Sequence, residues 1–141
     1  MTASTVVADT SGLCALLDRT SRVHAGVRDL VRDLEEPLVV PEPTLVELDH
    51  LSRRFGRRAF RLFLKDLEAG AFELEPIGPE DLGGIAALWD RYRDLDPGYA
   101  DLAVVRVAQR LGAHRILTLD LRDFRVLRAG DRPFVLLPAD I

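Results

Sequence analysis

Several residue types that would narrow the choice of fold and function are scarce in this chain of 141 residues. Cys14 is the only cysteine, so an internal disulfide is excluded, and its apolar neighbours favour a small core residue over a reactive thiol. No stretch approaches the roughly 18 consecutive apolar residues that a membrane-spanning helix requires. The first residues also lack the basic and apolar regions of a secretory signal. We therefore expect a cytoplasmic protein with no membrane segment.

Lysine is nearly absent as well, since Lys65 is the only one, and the formal net charge is −4. This balance argues against a uniformly basic surface that would coat nucleic acid. The basic charge that is present is concentrated in one stretch, R-R-F-G-R-R-A-F-R, where a phosphate-binding surface and a solvated helix face are both compatible with the pattern. If RNA binds there, the contacts come from Arg53, Arg54, Arg57, Arg58 and Arg61.

The chain contains no internal repeat, low-complexity tract or linker-like stretch, so we expect a single domain spanning residues 1–141. Short apolar segments alternate with segments whose apolar residues recur every three or four positions, the pattern of strands followed by amphipathic helices. Strands are predicted at 6–8, 38–40, 72–74, 115–120 and 134–137, with helices at 12–17, 23–36, 44–55, 57–68, 79–94 and 99–111. This alternation predicts an α/β fold, with a central, mainly parallel sheet in a three-layer α/β/α arrangement.

Four acidic residues lie at the junctions between these elements. Asp9 and Asp120 end predicted strands, whereas Glu47 and Asp101 begin helices that continue with largely apolar residues. Each has a simpler explanation: a turn for Asp9 and Asp120, a capping box with Thr44 for Glu47, and the helix dipole for Asp101. Because ligands of parallel α/β sheets bind at the carboxyl ends of the strands, we expect the four carboxylates to converge there.

Converging carboxylates require a proton or a cation between them. Two such charges about 5 Å apart repel by roughly 3 kcal/mol at an effective dielectric constant near 20. A hard divalent ion with oxygen ligands is the natural partner, which favours Mg²⁺, with Mn²⁺ as the alternative. Zinc is disfavoured because His24, His50 and His114 have no metal-ligand spacing with one another or with Cys14.

The segments around these acids, taken in order, resemble those of the PIN-domain nucleases, and within them the VapC-type toxins of bacterial toxin–antitoxin pairs. V-V-A-D-T-S-G is similar to the opening strand of that family, and P-E-P-T-L-V-E-L to the segment of its second acid. G-Y-A-D-L-A-V-V-R-V-A-Q-R-L-G resembles the segment of the third acid, and I-L-T-L-D-L-R-D-F resembles its T-x-D segment. The acids in these segments are Asp9, Glu47, Asp101 and Asp120.

The resemblance implies a metal-dependent endoribonuclease that cuts structured RNA such as tRNA or ribosomal RNA. It also implies a VapB-type antitoxin as the cognate partner and a homodimer. In this interpretation Asp9, Asp101 and Asp120 bind the metal, and Glu47 orients or deprotonates a water molecule.

Five further residues are assigned supporting positions around these acids. The hydroxyl groups of Thr10, Ser11 and Thr118 are expected to bond a water or a phosphate oxygen, or else to make capping and turn hydrogen bonds. Asp96 and Asp123 are additional acids that either assist the metal site or remain solvated.

Three other functions share parts of this pattern. A phosphatase of the haloacid dehalogenase type needs a second aspartate where Ser11 stands, and a receiver domain needs a lysine after a late strand, whereas Lys65 lies mid-chain on a predicted helix. A catalytically silent PIN-like module that binds RNA or protein keeps the fold without the reaction. The presence of all four acids argues against that module.

Overall fold

The computed structural model describes residues 4–141, so the first three residues, on which part of the expectation about a secretory signal rests, lie outside it. Five strands and seven helices are formed within the described residues. The strands are β1 (Val6–Ala8), β2 (Val39–Pro41), β3 (Glu73–Glu75), β4 (Arg115–Leu117) and β5 (Val135–Leu137). The helices are α1 (Thr10–Leu17), α2 (His24–Arg32), α3 (Thr44–Phe55), α4 (Arg57–Glu68), α5 (Pro79–Arg91), α6 (Tyr99–Leu111) and α7 (Leu121–Phe124).

All five strands pair in parallel, in the order β3-β2-β1-β4-β5. The chain leaves β1 towards β3 on one side and returns to β4 on the other, so the topological switch point lies between β1 and β4. The register pairs Ala8 with Leu117, and the two strands therefore end side by side. Asp9 and Thr118 follow these ends, at the place where parallel α/β sheets bind their ligands.

Helices cover both faces of the sheet, as the predicted three-layer arrangement requires. One buried cluster joins α5 and α6 to inward-facing strand residues such as Val7 and Ile116. The other joins α1 to α4 to the opposite face, through residues such as Ala8 and Leu117. Neighbouring strand positions thus serve opposite layers, as the two-residue period of a strand dictates. None of the helices within residues 4–141 is long and apolar enough to cross a membrane.

One predicted strand is too long, and one helix was not predicted. The segment 115–120 was expected to be extended throughout, but β4 ends at Leu117 and α7 begins at Leu121. The chain turns out of the sheet because the amide of Leu119 donates to the Ser11 hydroxyl (2.9 Å) and that of Asp120 to the Thr118 hydroxyl (2.9 Å). The amides of Leu119 and Asp120 therefore bond side-chain hydroxyls in place of the backbone carbonyls of a neighbouring strand.

A buried ion-pair network fixes α6, the helix that carries Asp101. Asp81 of α5 is fully buried and accepts from the guanidinium groups of Arg106 (2.9 Å) and Arg110 (2.6 Å) on α6, and from the amide of Gly78 (3.0 Å). Arg110 also reaches Glu75 at the end of β3 (3.0 Å). Asp81 therefore joins α5 to α6, and Arg110 extends the network to β3. The buried carboxylate can remain charged because the two arginines pair with it.

Close contact between α1 and β4 depends on Gly12. A Cβ atom at this position would lie 2.4 Å from the carbonyl oxygen of Leu117, which is backbone and cannot rotate away. We expect Gly12→Ala to lower the free energy of unfolding by about 2 kcal/mol or more, because α1 must move off the strand. Chemical denaturation measures this difference.

The matched control is Gly26→Ala in α2, where nothing lies within 4 Å of the added atom. That substitution is expected to raise the free energy of unfolding by about 0.5–1 kcal/mol, the ordinary gain in an exposed helix. Equal effects of the two substitutions would show that the approach of α1 to β4 is not tight.

Candidate functional site

Asp9 lies at the centre of the switch point and is 3% exposed. Its amide donates to the carbonyl oxygen of Leu117 across the sheet (2.9 Å). One carboxylate oxygen, Oδ2, accepts hydrogen bonds from the hydroxyls of Ser11 and Thr118, each at 2.8 Å. The two strand ends are thus tied together through one acid, whose orientation is set from both sides.

The Ser11 and Thr118 hydroxyls have no proton left for another acceptor. A hydroxyl carries a single hydrogen, and in both residues it points at Asp9, while the hydroxyl oxygens accept the backbone amides that turn the chain after β4. Of the two uses predicted for these side chains, the structure shows turn and positioning hydrogen bonds.

Glu47 is held in the same way by the neighbouring helix. Its carboxylate accepts a hydrogen bond of 2.6 Å from the hydroxyl of Thr10, the first residue of α1. The capping box considered for Glu47 is replaced by another arrangement, since the Thr44 hydroxyl donates to the carbonyl of Pro41 (2.6 Å). Glu47 therefore faces α1 and the sheet edge, and not the first turn of its own helix.

Three further carboxylates form a compact group beside these two. Asp101, Asp120 and Asp123 are half-buried, and one oxygen from each lies within 4.8 Å of the others. Asp120 caps α7 by accepting a hydrogen bond from the amide of Asp123 (3.2 Å). This bond holds Asp123 close to Asp120. Asp123 was ranked below Asp101 and Asp120, although its place three residues after Asp120 is the spacing that puts two side chains on one helix face.

Asp96 was also considered as an assisting acid, and it lies outside this group of three among the described residues. It is exposed in the loop before α6, where its backbone has a φ of +50°, a conformation that aspartate tolerates better than most residues. Its amide donates to the carbonyl oxygens of Tyr92 and Arg93, so Asp96 closes the turn that follows α5.

The carboxylates act on one another electrostatically. Burial, followed by the charges of Asp9, Glu47, Asp120 and Asp123 in that order, raises the pKa of Asp101 to about 7. Burial also raises the pKa of Asp9, against the lowering effect of its hydrogen bonds. The predicted convergence of Asp9, Glu47, Asp101 and Asp120 is therefore present in space, and their chemical roles stay predictions.

The donor set indicates what this site could hold. It consists of carboxylate oxygens, without a histidine or cysteine in the group of three, which suits a hard divalent cation and disfavours zinc. Without a cation, repulsion favours protonation of these carboxylates. A bound cation would neutralise their charges and replace those protons.

The five clustered arginines are divided between two helices. Helix α3 ends at Phe55, and α4 begins at Arg57 after Gly56, whose φ of +125° reverses the chain. Arg54 lines a groove of about 310 Å³ together with Ser11 and Leu119, next to the acids. Arg57 instead pairs with Asp49. The remaining three, Arg53, Arg58 and Arg61, are exposed, with Arg58 lining a different cavity.

With the fold and the acids in place, comparison with known proteins assigns the class. The profile of the PIN domain matches residues 6–129, which is most of the chain. The chain therefore belongs to the PIN domain family.

Individual relatives lie among the VapC proteins. Ribonuclease VapC26 of Mycobacterium tuberculosis (strain ATCC 25618 / H37Rv) is 36% identical over 135 residues, covering 94% of this chain and all of the relative. The crystal structure of M. tuberculosis VapC20, described as a sarcin-ricin loop cleaving toxin, has a TM-score of 0.75 at 18% identity, covering 82% of this chain and 90% of that one. The crystal structure of VapBC2 from Rickettsia felis, bound to a DNA fragment from its promoter, has a TM-score of 0.67 at 13% identity. The match covers 94% of this chain and 96% of that one. These structures show the same fold.

Stability without metal should depend on the protonation of Asp101. Its pKa rises from 3.8 to about 7 on folding, so the folded protein binds the extra proton between these values, and stability falls as pH rises from about 4 to about 7. In EDTA, the melting temperature is expected to fall between pH 5 and pH 8. Asp101→Asn should reduce this slope, and thermal melts across pH measure it.

The matched control is Asp90→Asn, which changes an exposed acid on α5. It should leave the slope unchanged. Saturating Mg²⁺ at pH 8 should raise the melting temperature of the wild type, since a ligand that binds only the folded state stabilises it. The rise should be much smaller for Asp101→Asn. An identical pH slope in wild type and Asp101→Asn would contradict the assignment.

Proposed function

We propose that this protein is a Mg²⁺-dependent endoribonuclease, with Mn²⁺ as an alternative ion, and the toxin of a type II toxin–antitoxin pair. The observation that carries the proposal is the meeting of Asp101, Asp120 and Asp123 at the sheet edge, beside Asp9 and Glu47. Membership of the PIN domain family and similarity to a protein named a ribonuclease support the same activity.

The metal would be held by Asp9, Asp101 and Asp120. The closeness of Asp123 to Asp101 and Asp120 makes it a further candidate ligand, whereas Asp9 lies outside that group of three. When bound, a divalent cation supplies Lewis-acid stabilisation of charge on phosphate oxygens and lowers the pKa of a bound water. Glu47 would orient or deprotonate the attacking water, with its own carboxylate fixed by Thr10. Ser11 and Thr118 would act by holding Asp9 in place.

Arg54 is the best placed of the clustered arginines to contact the phosphate backbone, because it lines the groove beside Ser11. Arg53, Arg58 and Arg61 would add charge at longer range, and Arg57 is already paired with Asp49. Such contacts position RNA without reading its sequence, so affinity should fall with added salt.

The proposed substrates are structured RNAs, tRNA or ribosomal RNA, in the cytoplasm. VapC20 is described as cleaving the sarcin-ricin loop, which supports a choice of this kind. The proposed partners are a VapB-type antitoxin and a second copy of the chain in a homodimer; solved relatives include a toxin–antitoxin complex from Klebsiella pneumoniae and VapBC2. The whole chain is proposed to act as a single domain.

RNA cleavage by the purified protein should require Mg²⁺ and stop with EDTA. We expect Asp9→Asn and Asp120→Asn to lower the cleavage rate by about 100-fold or more, because each removes charge from the metal-binding group. Gel assays with a generic structured RNA measure the rate, and thermal melts verify folding.

Asp90→Asn is again the control and should cleave like the wild type. Cleavage that survives EDTA, or that Asp9→Asn and Asp120→Asn both retain, would contradict the proposed mechanism. RNA binding without any cleavage by the wild type would favour the catalytically silent module.

A further inference from the structure

A second groove opens next to the acids, on the other side from Arg54. It has a volume of about 400 Å³ and lies between the start of α3 and the start of α6. Its apolar lining includes Pro43, Val46, Ile77 and Tyr99. Val46 is 70% exposed and Tyr99 is 49% exposed, so the groove presents an aromatic ring and an aliphatic side chain to solvent.

This groove is continuous with the candidate active site. Glu47 lines it and also bonds Thr10 at the sheet edge. Tyr99 begins α6, the helix that also carries Asp101. Positions two apart on a helix point to different sides, so the continuity rests on Glu47. A ligand in the groove would therefore have its next covalent unit at the acids.

The charge around the groove selects the part of a nucleotide that fits. Glu42 and Glu47 are the charged residues that line it, so a phosphate group would be repelled. A nucleobase is uncharged, stacks on an aromatic side chain, and can donate from an exocyclic amino group to a carboxylate. The groove on the other side is lined by one acid, Asp18, and by Arg54, which is the group there that could contact a phosphate.

We propose that this groove, named here the Tyr99 groove, binds one unpaired nucleobase of the RNA substrate, with Tyr99 as the stacking surface. The inference rests on the proposed ribonuclease activity and adds a condition on the substrate. A base can stack on Tyr99 only when it has left its own stack, so the cleaved bond lies in a loop or single-stranded segment.

The spacing of the two grooves agrees with a strand that crosses the acids. Val46 and Arg54 are eight residues apart on α3, which is about 12 Å along the helix axis. Glu47 lies at the end near Tyr99, and Ser11 and Leu119 lie at the end near Arg54. An RNA strand placed along α3 would put a base at one end and a phosphate at the other.

The test compares Tyr99→Ala with Trp89→Ala, a control that removes an aromatic side chain of nearly equal exposure (50%) from α5. Cleavage of a labelled single-stranded oligoribonucleotide is measured in Mg²⁺. We expect Tyr99→Ala to raise KM between about 5- and 150-fold, the range for losing one base stack, with a smaller change in kcat. Trp89→Ala should match the wild type.

Two further measurements separate stacking from a structural effect. Tyr99→Phe keeps the ring and should recover most of the affinity that Tyr99→Ala loses. Binding of the same oligonucleotide, followed by fluorescence anisotropy in an Asp101→Asn background, should weaken by a similar factor on Tyr99→Ala. The wild type should also cut the oligonucleotide much faster than a duplex of the same sequence.

The outcomes distinguish this inference from the activity on which it rests. If the wild type cuts no RNA, the proposed function fails. If the wild type cuts RNA but Tyr99→Ala has an unchanged KM, or single strand and duplex are cut equally, the Tyr99 groove does not bind a base. Unchanged RNA kinetics with weakened binding of a co-expressed antitoxin would assign the groove to a protein partner and overturn the inference.

Discussion

Mutual repulsion among carboxylates at one edge of a parallel sheet is the constraint on which the rest of this structure depends. Five acids act on one another there, and burial strengthens the effect by removing the water that would screen them. Hydrogen bonds from Ser11, Thr118 and Thr10 hold two of the acids in place. Repulsion among these acids lowers the stability of the folded state, but it keeps negative charge at a place where a cation could bind. Proteins commonly give up stability at functional sites in this way.

The scaffold offsets this repulsion at a distance from the acids. The fully buried Asp81 joins α5, α6 and the end of β3 through Arg106 and Arg110, so the helix that carries Asp101 cannot swing away. Gly12 allows α1 to lie against β4, which brings the hydroxyl of Ser11 within reach of Asp9. Two ordinary packing features thus set the positions of groups that would otherwise separate.

The alternation of short apolar runs and helical periodicity was enough to predict the α/β fold, because the inner strands β1 and β2 are buried throughout and amphipathic helices follow the strands. The end of β4 was predicted wrongly, since the turn there depends in part on the hydroxyl of Ser11, which is distant in sequence. The acids could be predicted from their junctions, but the grouping of Asp123 with Asp120 depends on a four-residue helix too short to have a pattern. The division of the arginines by Gly56 is a backbone property that residue composition does not reveal.

The order of the acids along the chain has a consequence for biosynthesis. Asp9 follows the first strand, whereas Asp120 and Asp123 follow the fourth, which pairs with the first in the middle of the sheet. A nascent chain whose residues 115–124 are still inside the ribosome lacks β4 and α7, and so cannot assemble the carboxylate group. The site is therefore completed only after this segment has left the ribosome and β4 has paired with β1.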